Sequence, residues 1–159
     1  MVVVSDAGPI IAFARAKHED ILRQLFEIIL IPDAVYEETV SVELTSASAV
    51  LVQASPWIQR VDIQRHTEID TLPAPLGAGE REAILLAEER KMPLLLDDLA
   101  ARKEAEKRGL IYFGSLRVLQ DAKKQGILIS VKPVLDTMIQ SGLWLGDDLY
   151  AHFLNIIGE

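Results

Sequence analysis

Pro93-Leu94-Leu95-Leu96-Asp97-Asp98 is an apolar run of strand length that breaks off in two adjacent carboxylates. Apolar residues at consecutive positions suit a strand covered on both faces, the usual state of a parallel sheet. The amino end has the same form, with Val2-Val3-Val4-Ser5 running straight into Asp6. In an open parallel sheet, ligands bind outside the carboxyl ends of the strands. Asp6 and the Asp97-Asp98 pair are therefore expected at one edge of one sheet, despite their distance in the chain.

Outward from these two runs, strand-like and helical patterns alternate. Ile28 to Ile31 is a third apolar run, closed by Pro32, and Ile58 to Ile63 and Leu110 to Phe113 are two more. Between them, Glu19 to Phe26 spaces Ile21, Leu22, Leu25 and Phe26 as a helix does. Asp33 is a candidate cap for a helix continuing through Val35, Tyr36 and Val40. Glu80 to Lys91 carries Ala83, Ile84 and Ala87 on one side, and Asp98 to Arg108 stops at Gly109. Strands alternating with helices predict a doubly wound α/β sheet. The stretch from Thr71 to Gly79, rich in Pro and Gly, reads as a loop. Residues 1–159 are expected to form a single domain, with 131–159 as a helical extension in two parts around Gly146. Leu143, Trp144, Leu149, Tyr150 and Phe153 of that extension either complete the core or form a face for a homodimer or a partner.

Composition narrows the chemistry. The chain has 159 residues, half of them apolar, and no cysteine. Disulfides, iron–sulfur clusters and thiolate zinc sites are excluded, and a cytoplasmic location is expected. The first residues show neither a basic leader nor a long apolar run, so no membrane span is expected. A net charge of −8 argues against nucleic acid. The stretch from Arg102 to Lys132, however, holds eight basic residues against three acidic ones. Such a segment serves equally as a solvated helix face.

A single acid after a strand is commonly a cap, and Asp98 can simply cap the helix after it. Several acids at one edge would repel one another and raise their own pKa values. Mg²⁺ or Mn²⁺ removes that penalty, because hard cations prefer oxygen ligands. Such a centre can activate water and hold phosphoryl oxygens for displacement. No nucleophile–base pair is legible, so phosphate chemistry fits better than acyl transfer.

Four segments carry a family resemblance: VVSDAGPIIAFA (3–14), IPDAVYEETV (31–40), LGAGEREAILLAEERKMPLLLDDLAARKEAEKRG (76–109) and YFGSLRVLQDAKKQGIL (112–128). In this order they resemble the PIN-domain nucleases, and within them a branch related to the VapC-type toxins of toxin–antitoxin pairs. The resemblance implies a three-layer fold, with a central parallel sheet and helices on both faces. It also implies metal-dependent endoribonuclease activity, single-stranded RNA as substrate, and restraint by a small antitoxin protein. Asp6, Glu38, Glu80 and Asp98 match the family's acids, and so are the expected catalytic and metal-holding residues. Glu37 is the neighbouring alternative to Glu38, Glu82 the fallback for Glu80, and Asp97 a possible further ligand. Arg102 and Ser115 are the expected substrate contacts, Arg102 having an ion pair with Asp98 as its bland alternative. Many members carry a further acid where this chain has Ala100. That departure motivates a second reading, a non-catalytic PIN-like module that binds RNA or protein.

Other features carry less. His18, His66 and His152 have no ligand spacing, and Trp57 and Trp144 read as packing residues. A receiver-type signalling domain also gathers acids at strand ends. It needs a paired acid after the first strand and a Lys after the fifth, whereas Asp6 stands alone and Gly114-Ser115 follow Phe113.

Overall fold

The uninterrupted apolar run at the amino end forms strand β1, Val2–Ser5, with Val3, Val4 and Ser5 inaccessible to solvent. A computed structural model describes residues 1–41 and 43–159. The remaining strands are β2 (Ile28–Ile31), β3 (Ile58–Arg60), β4 (Leu94–Leu95) and β5 (Tyr112–Phe113). All pair in parallel, in the order β3-β2-β1-β4-β5. Val2 lies opposite Ile28 on one side of β1, and Val4 opposite Leu94 on the other. The direction of winding reverses beside β1, which makes the gap beyond β1 and β4 the expected ligand crevice of such a sheet.

The helices are α1 (Ala7–Arg15), α2 (Glu19–Leu25), α3 (Asp33–Tyr36), α4 (Ala47–Ala54), α5 (Ala78–Arg90), α6 (Leu99–Lys107), α7 (Ser115–Lys124), α8 (Lys132–Gln140) and α9 (Asp147–Ile156). From β1 the chain winds one way to β3, then crosses back to β4 and on to β5. Right-handed crossovers in opposite directions put helices on both faces. Helix α5 packs on β1 and β4, with α3 and α6 beside it, whereas α1 packs with α2, α4 and α8. Being enclosed from several sides, α5 buries five successive residues, Ala83 to Ala87. Sequence spacing points only to Ala83, Ile84 and Ala87; Leu85 and Leu86 are buried because neighbours cover the second face too.

Helix α1, which the sequence patterns above do not mark, lies directly after β1 and accommodates Gly8-Pro9, because Pro9 falls in the first turn, where backbone N–H groups have no helical partner anyway. One local expectation changes. Asp33 does not cap α3: Pro32 takes that position, and Asp33 instead accepts a 2.7 Å bond from Arg60 Nε. Gly109 does end α6, at φ 71°.

In the carboxyl-terminal part, Val134, Leu135, Met138, Phe153 and Leu154 join the core. Trp144 does not pack: it is 87% exposed, and Leu149 is half exposed. Glu159 ties this part down, accepting bonds from Lys123 Nζ (2.8 Å), the hydroxyl of Ser130 and the Val131 N–H (2.8 Å). Burial opposes its ionisation, but these donors hold the carboxyl at about 2. Among the described residues, no helix is long and apolar enough to cross a membrane.

Candidate metal centre

Asp6 leaves β1 at the edge where β1 and β4 end, its own N–H bonded to Leu95 O at 2.9 Å. It occupies the N-cap position of α1, yet its side chain makes no cap bond. The residue is 6% exposed, and its Oδ1 is buried with no hydrogen-bond partner among the described residues. An orphaned buried oxygen costs about 1–3 kcal/mol unless something else fills its place. Burial pushes the Asp6 carboxyl up to about 7; the Ala7 N–H opposes this, while Glu38, Glu80 and Asp98 add to it. Four of the expected acids, from four segments of the chain, are therefore electrostatic neighbours.

Glu38 comes from a widened π-turn, Glu37–Ser41, that continues α3. Its Oε1 accepts a bond from Gly79 N at 3.2 Å. Gly79 is buried in the first turn of α5, and a Cβ there would sit 2.4 Å from Glu38 Oε1 and 3.4 Å from Asp6 Oδ1. The two carboxylates thus converge over a residue without a side chain. Burial raises the Glu38 carboxyl, and Glu80 raises it further, against the Gly79 N–H. Glu80, one residue on, turns back to accept from Gly77 N at 2.9 Å. Arg81 secures the approach to this turn, donating from Nε to Leu76 O at 3.0 Å and from Nη2 to Pro73 O at 3.2 Å.

At the end of β4 the neighbouring acids divide. Asp98 caps α6, its Oδ2 accepting from Ala101 N at 2.9 Å. Asp97 is held by Ser115, through the N–H at 2.7 Å and the hydroxyl at 2.6 Å. Arg102 does not pair with Asp98 among the observed ion pairs. Its Nε donates to Leu96 O at 3.2 Å, and its Nη2 lies 3.9 Å from Asp97. A Cβ at Gly114 would come within 1.8 Å of that Nη2. Ser115 is 1% exposed with its hydroxyl engaged, so in this state it offers nothing to a phosphate. Glu82 faces elsewhere, accepting from Ala34 N at 3.1 Å at the start of α3. Glu37 lies 3.5 Å from Arg60.

Among the described residues, no group of three acidic or His side chains is already arranged to hold a metal ion. The donor chemistry nevertheless fits a hard divalent cation. Asp6 presents a buried unpaired oxygen and Glu38 converges with it, while Glu80 and Asp98, each engaged by one backbone N–H, act on Asp6 electrostatically. Gly79 and Gly114 are parts of the arrangement that sequence reading passes over. Thr71 to Gly79 reads as a loop in the sequence, but α5 begins at Ala78 and takes Gly79 into its first turn. The hollows beside Tyr150, of about 420 and 270 Å³, are lined by none of these residues.

A family model described as PIN domain (DUF3368) matches residues 2–159. Among solved structures, a PilT N-terminus domain protein from the hyperthermophilic archaeon Sulfolobus solfataricus P2 superposes with a TM-score of 0.50 at 15% identity, covering 92% of this chain and 98% of that one. At that identity the likeness concerns the fold: α/β, with a five-stranded parallel sheet. No curated protein matches in sequence.

Proposed function

Since the chain belongs to the PIN-domain family, whose members are typically nucleases, we propose that it is a metal-dependent endoribonuclease acting on single-stranded RNA. The observation that carries this reading is the buried Asp6 carboxylate, unpaired at Oδ1 and surrounded by Glu38, Glu80 and Asp98. Asp6, Glu38, Glu80 and Asp98 would hold Mg²⁺ or Mn²⁺, with Asp97 in reserve. When bound, such a cation lowers the pKa of water and neutralises charge on phosphoryl oxygens. Asp6 keeps its side chain dry, which strengthens its hold on any cation it meets. Glu38 is oriented by the Gly79 N–H and so fixes the direction from which a ligand is approached. Arg102, about one-third exposed, supplies a nearby positive charge for the RNA backbone once it moves off Leu96 O. Ser115 acts on this reading by holding Asp97 still. A toxin role with an antitoxin partner, and a homodimer using Trp144 and Leu149, belong to the same proposal.

The N–H contacts of Glu80 and Asp98 favour a second reading, in which they are caps and the domain binds RNA or protein without cutting it. Two measurements separate the readings. Manganese binding is followed by electron paramagnetic resonance, and cleavage of an end-labelled single-stranded RNA is followed with Mn²⁺ or with a chelator. The nuclease reading expects binding together with chelator-sensitive cleavage. Binding without cleavage supports the second reading, and no binding at all removes the metal centre.

A further inference from the structure

We infer that Thr39, backed by Ser48, is a positioning residue that sets the aim of Glu38. This rests on the proposed metal centre and adds a residue that touches neither the cation nor RNA. Glu38 lies inside a π-turn, a helical turn widened by one residue and frequently found at functional sites. Such a turn is poorer in hydrogen-bond geometry than the α-helix and persists where something stabilises it. Thr39 supplies that. It is 2% exposed, and its Oγ1 lies 3.0 Å from both Val35 O and Tyr36 O, so one hydroxyl proton serves two carbonyls of the preceding turn. Hydroxyl bonding back into the preceding turn is known to bend helices.

The second support comes from α4. Ser48 is 6% exposed and donates from its hydroxyl to Thr39 O at 3.0 Å. The carbonyl of Thr39 is thereby satisfied from outside the turn, and α4 is pinned against the turn's buried side. Both polar groups lie beneath the backbone that carries Glu38, whose carboxylate reaches Gly79 N. Losing the inserted residue would re-phase the turn by about 100°, one residue's rotation in a 3.6-residue helix. Glu38 would then leave Gly79 and Asp6. In the widened turn a buried Thr39 and a Glu38 whose carboxylate reaches Gly79 N occur together.

The test uses the whole protein and three variants: Thr39→Val, which keeps shape and removes the hydroxyl, Thr39→Ser, which restores it, and Glu38→Gln. The first readout needs no metal. In metal-free protein, the NMR resonance of the Gly79 amide proton should move in Thr39→Val, in the direction that Glu38→Gln moves it, and return in Thr39→Ser. The second is manganese affinity by electron paramagnetic resonance. It should fall about 10-fold or more in Thr39→Val, as expected for residues that orient ligands, and add nothing in the Glu38→Gln background. A Gly79 resonance moved by Glu38→Gln but untouched by Thr39→Val overturns the inference, whatever the metal does. Wild-type protein that binds no manganese overturns the metal centre instead, and the amide readout then still judges the positioning of Glu38. Thermal melts of each variant separate a lost turn from a lost fold.

Discussion

Strands β1 and β4 are neighbours in the sheet and end alike in sequence, an apolar run followed by an acid, yet their carboxylates have opposite surroundings. Asp97 accepts two short bonds from Ser115 and has Arg102 nearby. Asp6 has a buried oxygen that accepts nothing from the described residues, and three further carboxylates within electrostatic reach. A satisfied acid at a strand end ties two strands together. An unsatisfied one is a standing energetic debt that folding alone does not explain. The difference arises because the turn after β5 delivers the Ser115 N–H and hydroxyl to Asp97, whereas the side chains that act on Asp6 are the carboxylates of Glu38, Glu80 and Asp98.

The largest contrast should come from removing one charge at each position. Asp6→Asn takes a negative ligand from the proposed centre and should lower Mn²⁺-dependent RNA cleavage by a factor on the order of 10³, since the cation supplies both activation and charge stabilisation. The metal-free protein should melt higher at pH 8, by roughly 2–4 °C for each kcal/mol of repulsion relieved. Asp97→Asn should reverse the pairing, with cleavage kept within a few-fold per folded molecule and stability lowered by about 1–3 kcal/mol. Cleavage assays beside chemical denaturation of both variants check this. Parental cleavage by Asp6→Asn would end the mechanism.

The same comparison predicts an unusual pH dependence. An Asp in the unfolded chain titrates near 3.8, whereas folded Asp6 does so near 7. Below pH 4 both states hold the proton. Between 4 and 7 the unfolded state releases it first, so the native state binds more protons and stability falls as pH rises. The full difference amounts to roughly 4 kcal/mol. Glu38, also raised, acts in the same direction. Glu159, held at about 2, acts in the other, but only in acid below its ordinary range. Denaturation of metal-free wild type minus Asp6→Asn, between pH 4.5 and 8, isolates the effect. Saturating Mn²⁺ should abolish the slope, because a bound cation favours the ionised form; a wild type that gains stability from pH 4.5 to 7 without metal contradicts it.

How much of this was legible beforehand depended on how local the cause was. The strand ends at Asp6 and Asp97 and the stop at Gly109 are written in neighbouring residues, and they led to the sheet and the carboxylate edge. The grip of Ser115 on Asp97 is not local: it needs β4 and β5 side by side, and no spacing announces it. Nor was the full burial of Leu85 and Leu86 readable, since an amphipathic pattern records one covered face and α5 has more. The α1 start was hidden by Gly8-Pro9, which resembles a break unless Pro is counted into the first turn. Trp144 failed differently, because an apolar side chain carries no mark of whether the fold will cover it.

Two glycines sharpen the contrast with smaller effects. At Gly114 a methyl would come within 1.8 Å of Arg102 Nη2 and 2.6 Å of Asp97 Oδ1. Gly114→Ala should displace the guanidinium and lower stability by about 1–2 kcal/mol. At Gly79 the intruding methyl meets the end of Glu38, which can swing away, and Ala is a better helix former by about 1 kcal/mol. Gly79→Ala should therefore leave stability near the parental value while weakening manganese binding. Calorimetry and metal titration of the pair read both quantities, and equal stability losses would blur the two sites into one.

The smallest effect is expected at the third strand end. Asp33 follows β2 as Asp6 follows β1, separated only by Pro32, so it tests whether position after a strand is itself enough. Its carboxylate pairs with Arg60 at 2.7 Å, but both side chains are about 40–45% exposed. Exposed pairs contribute about 0.2–1 kcal/mol and are screened by salt. Arg60 also stacks over Tyr36 with its guanidinium 4.3 Å from the ring centre, a contact that survives loss of the acid. Asp33→Asn should thus cost less than about 1 kcal/mol at low salt, nearly nothing at 1 M salt, and leave RNA cleavage unchanged. The telling measurement is manganese affinity, because Asp33 begins the helix whose π-turn carries Glu38. If so exposed a pair shifted that affinity several-fold, the aim of Glu38 would depend on the outer end of α3, and Thr39 could no longer be regarded as its local determinant.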